Sequence, residues 1–230
     1  MPKDGTGKPE TLVAYTTRSI KTAIAEGRFP PGSRLSPSAL AAELDVSHIP
    51  VREALRSLTA SGYIEHRQAQ GFFTRELTSS DLSDIYRLRE ILETEAYTMA
   101  VPKITDGDVE EMRRVNELMK KHTSPDHRLQ YLDLNREFHF VAFERTGSDR
   151  LLTLLNYLWD VAAPYGAAEP VDSTRSYRHH QAMIKKFAAR DTDGVIDAMS
   201  DHRQVRLRHI EEWEGARTRK KAAPATGSTS

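Results

Sequence analysis

Apolar residues recur every three or four positions over most of this chain, which is the spacing of amphipathic helices. Two short segments instead combine aromatic and β-branched residues, as strands do: Tyr63–His66 and Phe72–Thr74. From Ser79 onward the helical spacing continues without another strand pattern, and Pro164 ends one of the helices. The predicted helices are 80–100, 106–122, 126–146, 149–165, 173–190 and 192–214. The pattern predicts a mostly α protein whose second half is an antiparallel bundle of about six helices.

Three short helices precede the two strands. The first covers Thr11–Glu26, and the second begins at Ser36-Pro37, where serine can cap the helix and proline takes the first helical position. A turn at Asp45–Ser47 leads to the third helix, which ends at Ser61-Gly62. Three helices followed by a small two-stranded wing is the order of a winged helix-turn-helix, whose third helix enters the major groove of DNA.

The elements divide the 230-residue chain into a winged helix domain at 11–76 and a helical domain at 79–214. The polar segments 1–10 and 215–230 lack the apolar residues of a packed core, so both are expected to be disordered. No stretch has the apolar length of a membrane span, and the first residues contain no apolar signal core. We therefore expect a cytoplasmic protein without membrane segments.

Composition restricts the chemistry of both domains. Lys and Arg total 33, as do Asp and Glu, so a contact with DNA must come from a local basic surface rather than from the net charge. The chain contains no cysteine, which excludes disulfides, thiolate zinc sites and cysteine nucleophiles. A bound metal would need histidine, asparagine or carboxylate ligands.

The N-terminal half resembles the GntR-type winged helix over about residues 11–76. The sequence V-S-H-I-P-V-R-E-A-L at 46–55 carries most of the resemblance, together with P-G-S-R-L at 31–35. The resemblance implies that the third helix reads DNA and that the wing approaches the backbone. The residues that we expect to contact DNA are Arg34, Ser47, His48, Arg52 and Gly71.

Each of these residues has a physical reason for its role. Arg52 is long enough to reach a phosphate or a guanine edge, and Ser47 and His48 lie where helix N–H groups favour a phosphate. Gly71 would let the main chain of the wing come close to DNA. The alternative for Arg52 is an ion pair with Glu53 or Glu43 on a solvated helix face. Relatives typically carry arginine where His48 stands, which predicts a shallower salt dependence or a different operator here.

Metal-capable side chains lie on apolar faces of the second half. In helix 126–146, Asn135 and His139 share a stripe with Leu132 and Ala142, so they can chelate together. His180 and His202 are each eleven residues from residue 191, in the turn between the last two helices, so antiparallel helices would bring them level. The other histidines of this half are expected on the surface: His122, His127, His179 and His209.

Residues 79–214 resemble the all-helical C-terminal domain of FadR-like members of the GntR superfamily, which commonly holds a divalent metal and a carboxylate effector. The matching segments are Leu88–Glu93, Asn135–His139 and the pair His180 and His202. The predicted ligands are therefore Asn135, His139, His180 and His202. Zn²⁺ or Ni²⁺ suits imidazole best, with Mn²⁺ as the third candidate. Many relatives have aspartate where Asn135 stands, so the bound ion would keep more positive charge and favour an anionic effector.

Arg89 lies on the inward stripe of the first long helix, and a buried guanidinium needs an anion. Glu93, one turn further on, could supply it, which would make the pair structural. The functional alternative is that Arg89 binds the carboxylate of the effector opposite the metal.

Together these features predict a DNA-binding transcriptional regulator, a homodimeric repressor whose operator affinity is controlled by a small organic acid at a metal site. We expect no enzyme activity, because no carboxylate is fixed near the histidines as a general base. Two alternatives stay open. The histidines could activate water in a metal-dependent, hydrolase-like enzyme, or the ion itself could be the signal in a direct metal sensor.

Overall fold

The computed structural model describes residues 10–122, 127–168 and 173–203. Almost all of the predicted disordered ends lies outside these residues, as do the predicted end of the last helix at 204–214 and His209. In the described residues, no helix is both long enough and apolar enough to cross a membrane.

The N-terminal domain has the predicted helices and a small sheet. Thr11 and Ser36 cap the first two helices by accepting hydrogen bonds from main-chain N–H groups, and Pro37 takes the first position of the second helix as predicted. Asp45 turns the chain between the second and third helices with a left-handed backbone. The elements are α1 (Leu12–Ala25), β1 (Arg34–Leu35), α2 (Pro37–Leu44), α3 (His48–Ala60), β2 (Ile64–Arg67) and β3 (Gly71–Thr74).

The two predicted strands form the wing hairpin as β2 and β3. A third strand that the sequence did not indicate, β1, pairs with β3, so the strand order is β1-β3-β2. Arg34 and Leu35 pair antiparallel with Phe73 and Phe72 of β3. The Thr74 hydroxyl donates to the Pro30 carbonyl at 2.6 Å, which holds the preceding loop against the sheet. A strand of two residues is too short to show alternation in a sequence, and its pairing depends on a segment far along the chain.

The core of this domain lies between α1, α3 and the sheet. Ile20 of α1 and Leu55 of α3 are fully buried there, with Leu35 of β1 beside them. The hydrophobic effect therefore fixes α3 through its apolar face and leaves the opposite, polar face in solvent. Because α1 packs directly on α3, a displacement of α1 would carry α3 with it.

The second domain is a helical bundle. Thr78 and Thr105 each form a capping box, in which the threonine and an aspartate three residues later satisfy each other's main-chain N–H groups. The last described helix spans 192–203 and is called α9 here. The others are α4 (Ser79–Ala100), α5 (Asp106–Lys121), α6 (Arg128–Phe143), α7 (Asp149–Ala168) and α8 (Ser173–Ala188).

Helix α7 continues through Pro164 to Ala168, whereas the sequence predicted its end at residue 165. A proline inside a helix costs about 3 kcal/mol, because it removes one main-chain hydrogen bond and crowds the preceding turn. Val161 and Ala162, just before it, are both buried. The burial of this segment offsets the tendency of proline to end a helix. Because that burial comes from tertiary packing, the sequence around Pro164 could not predict it.

The two domains touch where α7 passes the end of α3. Gly62 has a φ of 74° and lies so close to α7 that an added Cβ would be 2.6 Å from Val161 Cγ2 and 2.7 Å from Tyr157 Cε2. Gly27 has nearly the same φ, 75°, but nothing lies within 4 Å of its missing Cβ. A comparison of the two positions therefore distinguishes the cost of backbone strain, which both share, from the cost of crowding between the domains, which only Gly62 has.

Gly62→Ala is expected to lower the free energy of unfolding by about 2–5 kcal/mol, since a left-handed alanine costs about 1–2 kcal/mol and overpacking adds about 1–3 kcal/mol. Gly27→Ala should cost only the backbone part, about 1–2 kcal/mol. Urea unfolding of both variants measures the difference. Equal losses would show that the domain contact adapts to the extra methyl group.

Candidate functional site

Three histidines from three different helices converge inside the bundle. His139 lies on α6, His180 on α8 and His202 on α9. One ligand nitrogen of each lies within 4.8 Å of those of the other two. The ring centres of His180 and His202 are 4.9 Å apart, and that of His139 is 5.2 Å from His180 and 5.7 Å from His202. The structure thus brings together the three imidazoles that the sequence placed on separate helices.

Several nitrogens of this cluster are buried without a hydrogen bond. Among the described residues, Nε2 of His139 and both ring nitrogens of His180 have no partner. His139 is 1% exposed and His180 is not exposed at all. Burial, reinforced by the neighbouring imidazoles, lowers the pKa of both rings, so they are neutral at neutral pH. A neutral imidazole with a free lone pair is the form that binds a metal.

Tyr97 orients the His139 ring. Its hydroxyl lies 2.9 Å from His139 Nδ1 and donates to Met199 Sδ at 3.7 Å. The contact with sulfur leaves the tyrosine oxygen able to accept from His139 Nδ1–H, and in that tautomer the lone pair is on Nε2. Burial raises the pKa of Tyr97, so the phenol remains protonated. A second group that fixes the tautomer in this way is typical of histidine ligands to metals.

The residues present fit a metal that prefers nitrogen ligands. An unpaired buried polar atom costs about 1–3 kcal/mol, and this cluster has several, so an ion would satisfy atoms that nothing else satisfies. Two Zn–N bonds of about 2.1 Å span at most about 4.2 Å, so small ring movements would close the 4.8 Å group around an ion. Within the described chain no carboxylate belongs to the group. Asn135, one turn before His139, is half-buried and lines the adjoining cavity.

Arg89 is buried beside this cluster and is paired with Glu93, as the structural alternative predicted. Its Nε donates to Glu93 Oε1 at 2.9 Å, and the guanidinium stacks 3.9 Å from the Trp159 ring centre. The fully buried Glu93 also accepts from Trp159 Nε1 at 2.9 Å and from Arg203 at 3.3 Å. One carboxylate therefore holds two guanidiniums, and both arginines also line the cavity. Pairing with Glu93 does not remove Arg89 from reach of a ligand.

A cavity of about 750 Å³ adjoins the histidines. Its wall contains His139, His202, Asn135, Arg89 and Arg203, and it carries six cationic side chains against two carboxylates, Asp133 and Asp160. Volumes of about 300–1,000 Å³ are typical of small-molecule sites. Carboxylates outside the lining pair with three of these cations, namely Arg18, Arg89 and Arg203. The cations that remain still favour an anionic ligand.

The sequence reasoning missed several residues of this site. Arg203 and Trp159 form the wall, and Tyr97 orients a histidine. Tyr97 follows Arg89 and Glu93 at intervals of four residues on α4, so the inward stripe that singled out Arg89 could have been extended to it. His179 was expected on the surface, but it is half-buried, lines the cavity and lies with its ring 5.8 Å from His202.

The predicted DNA-contacting residues lie on the open side of the winged domain. Ser47, His48 and Arg52 are all exposed at the start of α3, and the Ser47 side chain makes no capping hydrogen bond. Arg34 is exposed on β1, and Gly71 starts β3 with a φ of 102°. Arg56, which the motif did not indicate, is exposed one turn after Arg52.

The alternative role of Arg52 finds no support in its surroundings. In the part of the chain that the structure describes, Arg52 forms no ion pair with Glu53, and Glu43 pairs with Arg28 instead. Its guanidinium is thus available to an external partner. An exposed, unpaired arginine on the polar face of such a helix suits phosphate or guanine recognition.

A winged helix domain joined to an all-helical bundle defines a class of DNA-binding transcriptional regulators. Residues 14–74 match the bacterial regulatory proteins of the gntR family, and residues 84–205 match the FCD domain. The chain therefore belongs to the GntR family of transcriptional regulators with an FCD domain. This is the family that the sequence resemblance predicted, and it is one of regulators rather than enzymes.

Relatives of known description agree with this assignment. The chain is 26% identical over 212 residues to the HTH-type transcriptional regulator McbR of Escherichia coli K12, covering 90% of this chain and 96% of McbR. It is 25% identical over 198 residues to the E. coli transcriptional repressor GlaR, covering 80% of this chain and 89% of GlaR. The structure of E. coli McbR/YncC superimposes with a TM-score of 0.75 over 90% of this chain and all of that one, at 25% identity.

Proposed function

We propose that this regulator binds a divalent metal through His139, His180 and His202, with Asn135 as a further oxygen ligand, and that the metal anchors an anionic effector in the adjoining cavity. The unpaired buried nitrogens of His139 and His180 carry the proposal, because one nitrogen of each ring could bind the same metal. Three neutral imidazoles favour Zn²⁺ or Ni²⁺ over Mn²⁺. The metal would supply a positive charge that no protein carboxylate of the cluster neutralises.

The effector is expected to be a small organic acid. Arg89 and Arg203 line the cavity close to the histidines, and their guanidiniums share a single fully buried carboxylate. Arg203 also pairs with the exposed Glu90 at 2.8 Å. A carboxylate of the ligand would add a further anion to these guanidiniums while it binds the metal. Arg89 thereby combines the two roles that the sequence left open, since it is paired and also within reach of the cavity.

The regulator is proposed to act as a homodimeric repressor on operator DNA in the cytoplasm. GlaR, one of its relatives, is described as a repressor. Four of the six exposed large hydrophobic side chains of the described residues lie on the adjacent helices α4 and α7, namely Leu88, Ile91, Leu154 and Tyr157. An apolar surface of this kind suits a second copy of the chain, and two winged domains related by a twofold axis suit a pseudo-palindromic operator.

Thermal unfolding of the full chain with metal and organic acids tests this function. Zn²⁺ alone is expected to raise the Tm, and the correct acid at about 100 times its Kd should add about 2.7 kcal/mol, or about 5–10 °C, only when the metal is bound. An acid that stabilises metal-free protein equally would contradict metal anchoring. A change in operator affinity with Zn²⁺ alone would instead identify a direct metal sensor.

A further inference from the structure

The ligand cavity has walls from both domains. Lys21 of α1 and Tyr63, which follows α3, line it from the winged domain, while His139, His202 and Arg89 line it from the bundle. A ligand that fills this cavity would therefore contact the helix on which α3 packs. The question is which part of the α1 wall a ligand would recognise.

Lys21 is the charged group of this wall that is least well satisfied. Its Nζ lies 3.5 Å from Asp160 Oδ1 and 4.9 Å from the centre of the Tyr63 ring. A hydrogen-bonded ammonium and carboxylate lie about 2.7–2.9 Å apart, so this pair is loose. Asp160 is shared with Arg136, whose Nη1 is also 3.5 Å from the same oxygen. Among the described residues, Lys21 Nζ donates no hydrogen bond.

The Lys21–Asp160 contact is also an ion pair between the domains, because Asp160 lies on α7. The side chains are 36% and 17% exposed, so the pair is partly shielded from water. Asp133 is the other carboxylate in this wall, and burial raises its pKa. An anion that entered the cavity would compete with these carboxylates for Lys21 and Arg136.

We propose that the effector carries two anionic groups, one bound at the histidine cluster and the other at Lys21 and Arg136, so that it bridges the two domains. This inference rests on the metal-anchored function proposed above. The cavity of about 750 Å³ exceeds what a short monocarboxylate would fill, which leaves room for a chain between two acidic groups. Binding of the second group replaces the Lys21–Asp160 contact and draws α1, and with it α3, toward the ligand.

Calorimetric titration of the zinc-loaded full chain with straight-chain dicarboxylates of about four to about ten carbons tests the proposal, with monocarboxylates of equal length for comparison. At the best length the diacid is expected to bind at least about 10-fold more tightly than the monoacid. Lys21→Met, which keeps the aliphatic stem, should remove this preference and leave monoacid affinity within about twofold. Lys185→Met, which removes an exposed ammonium outside the cavity lining, should change neither affinity.

Asp160→Asn is expected to act in the opposite direction. Removing the competing carboxylate frees Lys21 and Arg136, so the diacid should bind about threefold or more tightly, while the monoacid changes little. Unchanged diacid affinity in Asp160→Asn would show that Asp160 does not compete with the ligand for Lys21 and Arg136. Equal binding of monoacids and diacids by the wild type, or a preference that persists in Lys21→Met, overturns the bridging ligand but leaves metal-anchored acid binding in place. If no acid of either series binds in a zinc-dependent manner, both proposals fail.

Discussion

His139→Ala is expected to lower zinc affinity by more than about 100-fold. The variant removes one of three imidazoles and the Nε2 atom that is buried without a partner. Loss of a group that only orients a metal ligand already costs about 10–100-fold, and loss of a ligand costs more. Metal content after dialysis and a competition titration with a chelating dye measure the effect. The increase in Tm with Zn²⁺ should disappear in the same variant.

Two matched variants show whether the effect belongs to the cluster. His179→Ala removes a neighbouring half-buried imidazole that lines the cavity but is not one of the three grouped ligands, so metal content should be retained. Tyr97→Phe removes only the hydroxyl that orients His139, and zinc affinity should fall by about 10-fold. Wild-type metal content in His139→Ala would reject the proposed metal site. Equal losses in His139→Ala and His179→Ala would assign the metal to a different set of histidines.

Arg52→Ala is expected to weaken operator binding by about 10–100-fold per site while leaving the fold intact. The side chain is exposed on α3 and forms no ion pair with the described residues, so its removal should cost little stability. A phosphate or guanine contact contributes about 1–3 kcal/mol, and a homodimer would lose it twice. Fluorescence anisotropy with an operator selected from random duplexes by the wild-type protein measures the loss. The same titration gives the number of chains per operator, for which a homodimer predicts two.

The control for this experiment is Arg113→Ala. Arg113 is an exposed arginine on α5 that pairs with Glu110, far along the chain from the winged domain. Its removal changes the net charge by the same amount, so a purely nonspecific electrostatic effect would weaken binding equally in both variants. Full operator affinity in Arg52→Ala would show that another face of the winged domain binds DNA.

The N-terminal domain was largely predictable because its signals are local. A serine cap followed by proline starts α2, a left-handed Asp45 ends it, and Gly62 follows α3; each acts within a few residues. The third strand was missed because Arg34 and Leu35 become a strand only by pairing with Phe72 and Phe73, almost 40 residues later. Such a pairing leaves no periodic pattern in two residues.

The histidine cluster was predictable for a different reason. A helix rises by a fixed amount per residue, so equal distances from a tight turn place His180 and His202 at the same level of two antiparallel helices. The turn between α8 and α9 is short, and the two ring centres lie 4.9 Å apart. The number of residues between each histidine and the turn therefore predicts the height of that histidine along its helix.

The sequence by itself determined which residues start and end the helices, which face of each helix is apolar, and which family the chain belongs to. Only the tertiary structure decided that Glu93 joins Arg89, Arg203 and Trp159, that α7 continues through Pro164, and that Lys21 of the winged domain lines the ligand cavity. The first group depends on hydrogen bonding and periodicity within a few turns of chain. The second depends on how whole helices pack against each other, and that is set by the total burial of apolar surface rather than by any short segment.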